Sequence, residues 1–201
     1  MKTKSKLKLT TKQKEILVGI ILGDGHLETQ NKGRTYRLKV EHSIKQKAYV
    51  DWLYENFKDF IISPPKERTR LSLGKELTSY GFTTLSTSEF RFYGQLFYQN
   101  GKKVIPKTIS EMLSCKSIAV WFMDDGSFKS KSHKTYIIHS NSYTKKELEI
   151  IKEVFAKKFG IEVGIHKQYS QWRLYVYTKS ALSFRKMIEP FIVPNMKYKL
   201  G

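Results

Sequence analysis

The sequence predicts an α+β protein made of two αββαββα repeats, each contributing an antiparallel sheet. Three observations lead there. Two apolar runs, "ILVGIILGDG" (Ile16–Gly25) and "IAVWFMDDG" (Ile118–Gly126), both end on Asp-Gly, half a chain apart. The same succession of strand, helix, paired strands and helix follows each run, and such internal repetition constrains the fold before any local detail does. The 37 Lys+Arg against 18 Asp+Glu leave a net charge of +19, drawn from both halves, as two basic surfaces would require.

In the first half, Leu17–Leu22 reads as a short buried helix with Gly19 and Gly23 four residues apart on one side. Interior glycine costs about 1 kcal/mol against alanine, so close approach of another helix backbone is its expected reason. "TYRLKVEHS" (Thr35–Ser43) alternates, with Tyr36, Leu38 and Val40 opposed to Arg37, Lys39 and Glu41, which is the pattern of a half-buried strand. Tyr49, Trp52, Leu53 and Phe57 then fall at helical spacing. Two strand-like runs surround "KERTRLSLGK" and "LTSYGFTTLS", and "EFRFYGQLFYQN" (Glu89–Asn100) reads as the closing helix before Lys102-Lys103-Val104-Ile105-Pro106.

The second half repeats this order. "KTYIIHS" (Lys134–Ser140) reads as strand, and His139-Ser140 is matched to His42-Ser43. "TKKELEIIKEVFAKKFG" reads as helix, with Leu148, Ile151, Phe155 and Phe159 on one face and Thr144 with Glu147 as a capping box. "IEVGIHKQY" and "QWRLYVYT" form a hairpin; Trp172, Leu174 and Val176 point in, and Gln171, Arg173, Tyr175 and Tyr177 out. "SALSFRKMIEPF" closes the repeat ahead of Val193-Pro194. Trp52, Trp121 and Trp172 are assigned to the core. The expected domains are a basic N-terminal segment (1–15), a first repeat (16–115) and a second repeat (116–201).

Composition narrows the function classes. A hydrophobic content of 40% fits a folded chain, not a basic tail. So large an excess of positive charge repels itself, which makes a polyanion, nucleic acid first, the expected partner. The apolar runs fall far short of the ~20 residues that span a bilayer, and the lysine-rich N-terminus lacks the apolar core of a secretory signal. A single cysteine, Cys115, forms no internal disulfide and suits a reducing compartment, cytoplasm or organelle matrix. Scattered histidines argue against structural zinc.

The two Asp-Gly pairs carry the chemistry. Aligned residue by residue, Asp24 matches Asp125. Helices packed about a pseudo-twofold axis would bring their terminal acids together. A carboxylate at a helix C-terminus opposes the dipole, at about 0.3–1 kcal/mol, and two such groups repel each other. A divalent cation relieves both conflicts. Oxygen donors favour Mg²⁺, with Mn²⁺ as a substitute, and such an ion beside a phosphodiester supports its hydrolysis. Asp-Gly is also a common turn dipeptide; two copies at matched positions in so basic a chain point beyond a turn.

These residues resemble the motif of the LAGLIDADG homing endonucleases, in its single-chain, two-motif form. "WFMDDG", "ISPP", "KKVIP" and "PNMKYKL" agree with that resemblance, which extends from Ile16 to Leu200. It implies a monomer whose two sheets form a saddle on double-stranded DNA, cutting both strands of a long asymmetric site. Asp24 and Asp125 are the implied catalytic acids and metal ligands, and Lys103 and Lys199 the implied basic residues of the active centre. Asp124 stands where the motif has alanine and takes a supporting place, and His26 follows the first motif. Arg34, Arg37, Lys39, Arg68, Arg70, Lys129, Lys131, Lys134, Arg173 and Tyr175 lie on or beside the polar strand faces as candidate DNA contacts, their division between base and phosphate left open. Two rivals on the same scaffold are an RNA-splicing maturase and a DNA-binding regulator without catalysis. Two intact acids and lysines favour the nuclease over the maturase.

Overall fold

Thr10 opens the first helix earlier than its apolar run suggests. Its hydroxyl accepts from the Gln13 backbone N–H at 3.2 Å, and the Gln13 side chain accepts from the Thr10 N–H at 2.9 Å. This reciprocal cap starts α1 at Thr11, and the helix runs Thr11–Leu22 rather than Leu17–Leu22. The computed structural model describes residues 7–201, so the first six residues of the expected basic segment lie outside the described residues.

Along the chain follow β1 (His26–Glu28), β2 (Arg37–Ser43), α2 (Lys47–Phe57), β3 (Lys66–Ser72), β4 (Lys75–Thr83) and α3 (Arg91–Phe97). A short hairpin, β5 (Tyr98–Gln99) and β6 (Lys102–Lys103), and a single turn, α4 (Ile109–Met112), lead to the second half. That half contains α5 (Cys115–Asp125), β7 (Gly126–Phe128), β8 (Tyr136–Ile138), α6 (Lys145–Phe159), β9 (Val163–Gln168), β10 (Gln171–Val176) and α7 (Thr178–Ile188). The order αββαββα therefore occurs twice. The two four-stranded antiparallel sheets share one topology, β1-β2-β4-β3 and β7-β8-β10-β9.

The chain divides into two compact units. One holds the residues up to Lys14 with Asp24–Gln95; the other holds Glu15–Gly23 with Leu96–Gly201. In the first unit the inward row of β2 continues as expected through Leu38 and Val40, both at most 1% exposed, and ends on His42. In the second unit Trp121, Phe122, Phe155 and Phe184 are fully buried and form the centre of the core. Of the three tryptophans expected in the core, Trp121 is fully buried, whereas Trp52 and Trp172 are only half-buried. Phe159, in the last turn of α6, is likewise half-buried, and Val154 takes the inward place beside Phe155.

Two readings shift by a few residues. The segment Glu89–Asn100 is not one helix: α3 stops at Phe97, and Asn100 and Gly101 adopt φ of 50° and 75°. An Asn-Gly pair with both residues left-handed closes a two-residue hairpin, and this turn places Lys103 on β6. The matching of His42 to His139 is also displaced by one. His26 pairs with Lys39 and Ser127 with Ile137, so Lys39 corresponds to Ile137 and His42 to Ser140. A one-residue slip moves a side chain to the other face of a sheet, and His139 accordingly corresponds to Glu41.

Candidate nuclease centre

The second unit contains the apolar part of α1 packed directly on α5. A Cβ at Gly19 would lie 2.5 Å from the Ser117 backbone oxygen and 2.6 Å from Val120 Cβ, and one at Gly23 would occupy the space of the Asp124 carboxylate. Only glycine permits this approach. Asp124 is 8% exposed where it covers Gly23.

Each helix end leaves backbone carbonyls without intrahelical donors, and here they are met by named side chains. The Tyr143 hydroxyl, whose proton is held far more tightly than usual because the group is buried, donates to Leu22 O at 3.0 Å. Lys103 Nζ donates to Gly23 O at 2.5 Å. At the end of α5, Lys199 Nζ donates to Met123 O at 2.5 Å and Asp124 O at 2.7 Å. Each lysine thus bonds the carbonyl of the residue immediately before a motif acid, Asp24 in one case and Asp125 in the other. Lys199 reaches that place from the 3-10 turn Pro194–Leu200. Lys103 sits two residues before Ile105, whose N–H donates to Glu147 Oε1 at 3.0 Å, fixing the segment to the capping box of α6.

The two acids have different surroundings. Asp125 ends α5, and its Oδ2 accepts from the Trp121 indole N–H at 3.1 Å, one turn back. Its backbone oxygen accepts from the His139 N–H at 2.9 Å. Burial, reinforced by the Arg173 and Lys199 charges, pushes the His139 imidazole below its ordinary pKa. Asp24, in the turn after α1, has a side chain 52% exposed, with its Oδ2 3.6 Å from Nδ1 of buried His42. Asp24 and His42 each present one ligand atom there, within 4.8 Å. Two adjoining hollows of the first unit open at Asp24. One, about 390 Å³, is lined by Asp24, His42, Arg70 and Ser79 among others; the other, about 330 Å³, is lined by Asp24, His26, Lys39 and Glu41. His42 is the residue that sequence reasoning missed. The one hint was a polar side chain at an inward position of an alternating strand.

The basic candidates fall into groups. Cross-strand partners share a face of a sheet, and the register places Arg37, Lys39, Arg68 and Arg70 on the outward face of the first sheet. Arg34 is exposed in the loop between β1 and β2. In the second unit, Arg173 and Tyr175 share the outward face of β10, and Lys129 Nζ lies 4.9 Å over the Tyr175 ring. That ring also stacks on His166 at 4.8 Å. Lys131 and Lys134 are exposed in the loop between β7 and β8. No helix among the described residues is long and apolar enough to cross a membrane.

Comparison with known proteins agrees with this geometry. The sequence profile of the LAGLIDADG DNA endonuclease family matches residues 14–184. The chain is 31% identical to a probable intron-encoded endonuclease of Wickerhamomyces canadensis, across 94% of this chain and 83% of that protein. It is 32% identical to a cytochrome b mRNA maturase of Debaryomyces hansenii, across 93% of this chain and 72% of the relative. The solved structure of the homing endonuclease I-WcaI bound to its DNA recognition sequence superposes with a TM-score of 0.92 at 29% identity, covering 98% of this chain and 89% of that one.

Proposed function

The chain belongs to the LAGLIDADG DNA endonuclease family, and we propose that Asp24 and Asp125 are the acids with which this site-specific endonuclease cuts the two strands of its DNA. The observation that carries the assignment is the matched chemistry at the two helix ends. In each, a lysine is bonded to the carbonyl that precedes the acid.

The donors suit a hard divalent cation: carboxylate oxygens predominate, with His42 as a nearby nitrogen. Asp24 and Asp125 would hold Mg²⁺, with Mn²⁺ as a substitute; the ion when bound supplies Lewis-acid activation of the scissile phosphate and of water. The protein's own groups do the rest. Lys103 and Lys199, fixed by their carbonyl bonds, place positive charge where the phosphorane charge develops. His42 orients the Asp24 carboxylate, and Trp121 holds that of Asp125 along its own helix. The exposed arginines and lysines of the two sheets bind double-stranded DNA by neutralising phosphates and contacting base edges.

We keep residues 16–115 and 116–201 as the functional halves and read the chain as a monomer on an asymmetric site, at work in a reducing cytoplasm or organelle matrix. The likeness to a cytochrome b mRNA maturase favours a second reading on the same scaffold, assistance to RNA splicing.

The test is incubation with Mg²⁺ and a plasmid library carrying randomised inserts. Linear product with a footprint of about 20 bp per chain, roughly two helical turns, is the expected result. Tight complexes that are never cut would support a regulator instead. A further expectation concerns the lysines. Lys103→Met and Lys199→Met keep length and remove charge, so single-turnover cleavage should slow by about 10²–10³-fold while binding stays within a few fold. Unchanged rates would reduce both lysines to helix caps.

A further inference from the structure

The outward face of the first sheet carries carboxylates where a DNA-binding surface has least use for them. Glu28 Oε1 accepts from Arg37 Nε at 2.7 Å. Glu41 lies 3.3 Å from Arg68 Nη1 and 3.5 Å from Lys39 Nζ through Oε2, and its Oε1 accepts from the Ser79 hydroxyl at 2.8 Å. That hydroxyl, opposed in part by burial and aided by the Lys39 and Arg68 charges, holds the Glu41 carboxyl below the usual carboxylate range. Gly81 pairs with Glu41 across the ladder, and a Cβ there would collide with the Val40 carbonyl and crowd Glu41. The sheet therefore leaves room for this side chain to lie among its partners.

Stability does not account for the arrangement. Exposed ion pairs contribute about 0–1 kcal/mol, and every negative charge on this face opposes phosphate. The pairs do constrain direction. An arginine tethered through one nitrogen keeps its other donors at fixed angles: Arg37, held at Nε, retains both terminal nitrogens for the paired acceptors of a guanine edge. Taking the DNA-binding reading above as given, we propose that Glu28 and Glu41 are positioning residues that aim Arg37 and Arg68 at base edges. Sequence discrimination in this half depends on these carboxylates, while affinity is diminished by them.

The experiment selects a preferred duplex from a randomised double-stranded DNA library with the unmodified chain. Glu28→Gln, Glu41→Gln, Arg68→Gln and the Glu41→Gln/Arg68→Gln pair are then titrated with that duplex, its single-base variants and a scrambled duplex. For each glutamine variant of a carboxylate, the scrambled duplex should bind a few fold more tightly, and discrimination at one or two base pairs should fall by about tenfold. The double variant should discriminate no worse than Arg68→Gln alone, because the carboxylate acts through the arginine. Discrimination within twofold of the unmodified chain in both Glu28→Gln and Glu41→Gln would overturn the proposal. So would multiplicative losses in the double variant, which would mean that Glu41 reads bases itself. Failure of the unmodified chain to select any duplex would overturn the DNA-binding reading and the proposal together.

Discussion

Replacing Gly19 with valine is expected to lower the melting temperature by about 6 °C. The added carbons would enter space held by the Ser117 backbone oxygen and the Val120 side chain. A backbone oxygen cannot rotate aside as a flexible side chain can, so α1 and α5 would have to separate. Overpacking of this kind costs about 1–3 kcal/mol, and in a chain of this size each kcal/mol moves the transition by about 2–4 °C. Thermal unfolding by circular dichroism checks it. A melting temperature within about 2 °C of the unmodified protein would show that the helices do not depend on this close approach. Leu182→Val, at an exposed position of α7, provides the neutral comparison.

Much of this fold was legible because its elements announce themselves locally. The alternation through Leu38 and Val40 and the Thr144–Glu147 cap fixed β2 and α6 close to their observed bounds. The start of α1 was legible too, in the reciprocal pattern of Thr10 and Gln13, but the apolar run drew attention six residues downstream of it. The Asn100-Gly101 turn was likewise written in the sequence. Reading Glu89–Asn100 as one helix overlooked it, although two left-handed residues in succession have no place in a helix. What stayed hidden was long-range. Nothing near His42 in sequence says that Asp24 stands beside it, and nothing near Lys103 names the Gly23 carbonyl as its partner, 80 residues away. The family resemblance, not the repeat, singled out Lys103 and Lys199; repeat matching paired the two acids, since symmetry survives in residue type. It misplaced His42 by one, because only strand register separates neighbouring positions on opposite faces of a sheet.

The acids carry the largest expected effect on activity. Asp24 ends the turn after a buried helix and Asp125 ends the second such helix, each placed against the negative end of a dipole. Their presence there costs stability, so a functional requirement has to account for them. Asparagine keeps the shape of each side chain and removes its charge. At position 125 it still offers an oxygen to the Trp121 indole N–H. Asp24→Asn and Asp125→Asn should therefore fold with stability unchanged or raised by up to about 1 kcal/mol, and should bind DNA. Cleavage should fall by about a thousandfold or more, since the proposed ligand for the activating cation is lost.

The most direct measurement is plasmid linearisation in Mg²⁺ by Asp24→Asn, Asp125→Asn and Asp124→Asn, with gel-shift binding in Ca²⁺ as the control. Asp124 covers Gly23 and stands one place before the motif acid, so its variant should retain most of the activity. The account predicts intact binding in all three, with double-strand cleavage abolished only in the variants at 24 and 125. Full linearisation by Asp125→Asn, or activity lost in Asp124→Asn alone, would contradict it.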